Sequence, residues 1–94
     1  MDEQVVESSG NVFADLGFPP EEASILHMRA TLLCDLREYI GANGLSVVAA
    51  ADRLGIPRSR AQDLVKGRWQ KFSLEALITM ETRLGRSVTL QLAA

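Results

Sequence analysis

Near the middle of this 94-residue chain stand four polar side chains, Arg58, Ser59, Gln62 and Asp63, whose spacing puts them on one open side of a helix. The chemistry they offer is recognition of base edges, with no bond made or broken. An arginine can reach guanine through two parallel hydrogen bonds, a glutamine can do the same to adenine, and serine supports either. Asp63 carries two readings: an acceptor for cytosine on the groove face, or a local pair with Lys66. Around these four, Arg60, Lys66, Arg68 and Lys71 supply the positive charge that holds phosphates in register without reading sequence. Catalysis has no comparable set of residues. There is no paired nucleophile and base, and Asp35 and Glu38 are expected on a solvated face. One histidine, His27, and one cysteine, Cys34, make no zinc set, so neither a metal nor a cofactor is expected. Cys34 reads as a small buried hydrophobe and His27 as a surface or boundary residue.

To present such a face, the chain needs two helices at a fixed angle. Residues 45–69, LSVVAAADRLGIPRSRAQDLVKGRW, supply them. Ser46 is placed to cap a first helix, in which Ala50, Ala51 and Leu54 form a stripe small enough for another helix to approach closely. Gly55 follows the last apolar position, where a left-handed residue ends a helix without a Cβ penalty. Ile56 is expected to plug the corner. Pro57 suits the start of the second helix, residues 57–66, which turns Ala61, Leu64 and Val65 inward and stops at Gly67. Small residues inside, glycine at the turn and polar groups outside define a helix-turn-helix, here spanning residues 46–66, whose second helix can enter a major groove.

The charge is divided along the chain. Residues 45–94 carry eight basic side chains against four acids, and residues 1–44 carry two against eight, so a net charge of −2 conceals a basic half and an acidic half. Such an asymmetry predicts a nucleic-acid face joined to an arm with another task. The length suits one small domain with a modest core, for which a dimer or partner subunit is a natural source of stability. No apolar run is long enough to span a bilayer and no signal peptide is evident, so the expected location is cytoplasmic, at the nucleoid.

Punctuation divides the rest into an acidic flexible arm, residues 1–19, and a domain, residues 20–94. Residues 1–10 show little periodicity and are expected to be disordered in isolation. Within residues 11–18, Val12, Phe13, Leu16 and Phe18 can fold back as a clamp over the domain, extend onto a partner, or do both. A first long helix is expected over residues 20–42, with a core stripe of Ile25, Leu32, Leu33, Leu36 and Ile40 flanked by Met28 and Tyr39. Trp69, in the basic loop after the second helix, is either a lid on the core or a group stacked near the DNA backbone. Ser73 caps a last helix with Leu74, Leu77, Ile78, Met80 and Leu84 as its apolar side and Phe72 as a staple. Residues 87–92, SVTLQL, alternate as a strand does. A lone strand needs a partner, which residues 11–18, a second copy or another protein would supply. The expected fold is mainly α: four helices and a short C-terminal β-strand.

The run GLSVVAAADRLGIPRSRAQDLVKGRWQKFSLEALITMETRLG resembles the Cro/repressor-type (XRE) helix-turn-helix family, with its lambda-repressor-like domain. Together with residues 9–23, SGNVFADLGFPPEEA, and 85–92, GRSVTLQL, it resembles the small HigA-like antitoxins of bacterial toxin–antitoxin operons. The resemblance implies a homodimer that binds double-stranded operator DNA, represses its own operon and neutralises a RelE-like or HigB-like ribonuclease, with Val12, Phe13, Leu16 and Phe18 as the toxin-binding arm. One position departs from the family, which usually places a phosphate-contacting Gln at the start of the scanning helix, where this chain has Val47. Two other readings stand beside it: a free-standing XRE-type regulator, and a protein-interaction module that uses the helix-turn-helix only as scaffold.

Overall fold

A computed structural model describes residues 11–93; the acidic segment 1–10 and Ala94 lie outside the described residues. Five α-helices follow one another: α1 (Val12–Asp15), α2 (Pro20–Ala42), α3 (Val47–Leu54), α4 (Arg58–Val65) and α5 (Leu74–Arg83), with one 3-10 turn at Trp69–Lys71. The fifth helix, beyond the four expected, is α1. Asn11 creates it: its side-chain oxygen accepts from the N–H groups of Phe13 and Ala14 at 3.0 and 3.3 Å. The same carboxamide donates to the Ala23 carbonyl at 2.9 Å, which ties α1 to the start of α2.

α2 is the longest element and opens with Pro20 at its first turn, where the absent N–H costs nothing. Its buried line runs through Ala23, Leu26, Leu33, Leu36 and Ile40. Ile25, expected in that line, is instead 50% exposed. One residue of displacement rotates a side chain by about 100°, so Ala23 and Leu26 face the domain and Ile25 does not. Cys34 is corrected for the same reason: it follows Leu33 by one residue and is exposed rather than buried. Leu33, Leu36 and Ile40 meet Ala50 and Leu54 of α3, Leu64 of α4, Phe72, and Leu77 and Met80 of α5 in one core, with Leu32, Leu45, Ile56, Trp69 and Leu84 packed against its edge. Each fully buried leucine here, such as Leu36 or Leu64, contributes about 1.5–3 kcal/mol of transfer free energy.

Val65 was expected inward and is 37% exposed. It stands at the last turn of α4, beside an open groove that it lines with Cys34, Arg37, Glu38, Ile40 and Gly41. Asp35 is also corrected. It is half-buried and ion-paired to Arg86, not part of a solvated face.

The expected C-terminal β-strand is absent: residues 87–92 form no strand among the described residues. A strand exists only as one side of a hydrogen-bonded ladder. The intrachain partner expected from sequence, residues 11–18, has spent its backbone groups on α1 and its caps. Val88, Leu90 and Leu92 are consequently 37%, 80% and 95% exposed. No helix of the described residues is long and apolar enough to cross a membrane.

Candidate nucleic-acid interface

The interface starts from two caps and a turn. The Ser46 hydroxyl accepts from the Ala49 N–H at 3.1 Å and fixes where α3 begins. α3 ends at Gly55, whose φ of 65° lies in the left-handed region. Ile56 then donates its N–H back to the Ala51 carbonyl at 3.0 Å and packs against the core edge. Pro57 stands just before α4 at ψ 153°, and its carbonyl accepts from Arg60 and Ala61, so the helix itself runs from Arg58 to Val65. Ala50 and Ala61 are both 0% exposed, so α3 and α4 bury their small faces in the interior of the domain.

On the outside of α4, Arg58, Ser59, Gln62 and Lys66 fall within an arc of about 100° at helical spacing. All four are exposed. Their side chains make no hydrogen bond or ion pair with any described residue, which leaves the donors and acceptors of this arc available to a ligand. Lys66, assigned to phosphates from sequence, shares the arc with the three residues assigned to bases.

Asp63 stands at the edge of this arc and is engaged. Its carboxylate pairs with Arg68 at 3.2 Å and Arg60 at 3.9 Å, and not with Lys66. Arg60 also donates to the Lys71 carbonyl at 3.3 Å. The structure therefore joins Arg60, Asp63, Arg68 and the Lys71 backbone into one cluster on the flank of α4, with the Lys71 side chain exposed beside it. Such a strip of cations suits a phosphate backbone, and Asp63 organises it.

Trp69 lies under the strip as a lid on the core. Its ring meets Phe13 edge-on at 5.9 Å, and the Arg29 guanidinium lies over it at 5.2 Å. Arg29 further donates to the carbonyls of Trp69 and Phe72, with 2.6 Å the shortest contact. Phe13 in turn meets Phe18 at 6.0 Å. Of the four arm residues named from sequence, Phe13 packs on the domain, whereas Val12 and Leu16 are 62% and 71% exposed and Phe18 is 38% exposed. Val47, where the resemblance implies Gln, is half-buried and offers no side-chain donor.

Several charged residues with structural work were not distinguished by sequence. Arg83 donates to the Leu54 and Gly55 carbonyls, and Arg37 to that of Val65. Arg86 bridges Asp35 and Glu81 and lies over the Tyr39 ring. Glu81 is 2% exposed, and burial pushes its carboxyl up from 4.5 to about 8, helped by Asp35 and opposed by Arg86. The apolar pattern of α5 gives no hint of a buried acid. The only sequence signal would have been its position four residues after Leu77, on the same face of the helix.

A family model described as a helix-turn-helix domain matches residues 12–93 of the chain. The chain belongs to that family. Its helix-turn-helix is the α3–α4 pair, and the match takes in α1 and α5 as well, so the whole described molecule is the domain. No curated protein and no solved structure matches the chain. The helix-turn-helix domain marks a DNA-binding regulator.

Proposed function

We propose that this helix-turn-helix protein is the antitoxin of a type II toxin–antitoxin system. It binds operator DNA through α4, represses its own operon as a homodimer at the nucleoid, and neutralises a RelE-like or HigB-like ribonuclease. One observation carries the DNA half of the reading: the exposed arc of Arg58, Ser59, Gln62 and Lys66 has no partner among the described residues, while the flanking cations are arranged around Asp63. Arg58 and Gln62 are assigned to bases, with Ser59 in support, and Arg60, Arg68 and Lys71 to phosphates.

The toxin half rests on the resemblance and on the arm. Phe13 packs α1 on Trp69, and Val12 and Leu16 stay exposed, where a partner can cover them. Residues 87–92 have lost residues 11–18 as a possible strand partner, which leaves a second copy or another protein. A second copy would place two α4 helices about a two-fold axis, as a palindromic site requires.

The test is binding to a duplex of the chain's own promoter across a salt series. Several phosphate contacts should give an affinity that falls steeply as salt rises. Flat salt dependence would instead favour a protein-interaction module. Removal of residues 1–18 should weaken capture of the ribonuclease encoded next door and spare DNA binding. Full neutralisation by the truncated chain would remove the arm from the inhibitory role, and a neighbouring frame without a toxin would leave a free-standing regulator.

A further inference from the structure

Two arginines of the chain are used inward, in the same way, at the two ends of the recognition helix. Gly55 ends α3 at φ 65°, and Gly67 follows α4 at φ 74°. A Cβ built on Gly55 would stand 2.9 Å from Arg83 Nη1, and one on Gly67 would stand 3.2 Å from Arg37 Nη1. Each guanidinium therefore lies against the open side of a left-handed glycine, in the space that a side chain would claim. From there Arg83 donates to the carbonyls of Leu54 and Gly55 at 2.8 and 3.0 Å, and Arg37 donates to the carbonyl of Val65 at 3.2 Å.

The carbonyls they reach are those that a helix C-terminus leaves without intrahelical partners, and they carry the negative end of the helix dipole. Arg83 belongs to α5 and Arg37 to α2, and both helices are anchored in the core through Leu33, Leu36, Ile40, Leu77 and Met80. The Gly55 turn leads directly through Ile56 and Pro57 into α4, so Arg83 secures the entry to the recognition helix and Arg37 secures its exit.

We propose that Arg83 and Arg37 are positioning residues for DNA reading: each guanidinium, seated beneath a left-handed glycine, locks one end of α4 so that Arg58 and Gln62 meet base edges in register. The inference rests on the DNA-reading role of α4. Base contacts tolerate displacements of only about 0.5 Å, so a helix free to tilt keeps its charge and loses its discrimination.

The experiment uses the full chain, the duplex it selects from a randomised library, and a scrambled duplex of equal length. Arg83→Gln and Arg37→Gln remove the guanidinium and its charge, and with them the donors that reach these carbonyls. Each should lower affinity for the selected duplex about tenfold, from the loss of one or two charge-assisted bonds. Affinity for the scrambled duplex and the salt slope should not change, and the circular dichroism of the free protein should stay native. Gly55→Ala, which displaces the guanidinium, should repeat the Arg83→Gln loss and add nothing to it in the double variant.

Equal losses on both duplexes with a salt slope shallower by about one would make the arginine a phosphate contact and overturn the proposal. Equal losses that track the unfolded fraction would make its role one of bulk stability, which overturns it as well. Unchanged affinity for the selected duplex has the same consequence, while the DNA reading of α4 would stand. A wild-type chain that selects no duplex would instead remove that reading, and the proposal with it.

Discussion

At Glu81 the residue scale makes a demand that the helix pattern does not reveal. Its carboxyl is 2% exposed, faces Asp35 of α2 and Arg86, and is pushed up to about 8, chiefly by burial. At neutral pH it holds its proton, and Arg86 bridges it to Asp35. The folded chain thus keeps a proton that the unfolded chain loses above 4.5, so this group's contribution to stability is full below 4.5 and declines as pH rises to about 8. Glu81→Gln should remove most of that decline. Thermal melts of the two proteins between about pH 5 and about pH 8 should diverge toward alkaline pH by roughly 4–8 °C for each kcal/mol of linkage, and parallel curves would refute the assignment. Arg58 and Gln62 contribute little to folding, because both are exposed and their side chains make no hydrogen bond or ion pair with any described residue. The double substitution to Ala should abolish operator binding in a gel shift while changing stability by less than about 0.5 kcal/mol.

Elements here are bounded by short polar side chains, and those bounds were legible. Ser46 and Ser73 each accept from the N–H three residues on, at 3.1 Å, as their positions before apolar helical runs predict. Replacing either with Ala should cost about 1 kcal/mol in denaturant unfolding. α1 was not legible as a helix, because four residues have no periodicity to read and their stability comes from Asn11 and from packing on Trp69. Trp69 is the chain's one tryptophan, so its fluorescence reports whether α1 is docked. Phe13→Ala should shift that emission and should leave the α3–α4 pair folded, as judged by retained affinity for DNA.

For the molecule as a whole, the basic half predicted from charge is real in composition and divided in use. Arg83 and Arg86 are bound to the chain's own carbonyls and carboxylates, whereas Arg58 and Lys66 make no such bond among the described residues. The salt slope of DNA binding should therefore reflect the cations around α4, and Arg83→Gln should not alter it. The exposed tail has its role at this scale too. Deleting residues 87–93 should leave the melting temperature of the domain nearly unchanged and abolish the proposed dimer in sedimentation, since Leu90 and Leu92 bury little against their own chain. The sequence by itself determined α2 through α5, the glycine turn and the open face of α4, because caps, helical periodicity and left-handed glycine are properties of residues close together in the chain. Tertiary structure alone decided which arginines bond to the chain's own carbonyls and carboxylates, that Asp35 and Glu81 share a site with Arg86, and that residues 87–92 form no strand among the described residues. Those outcomes depend on which groups distant in sequence arrive within hydrogen-bonding distance, and only the packed core sets that.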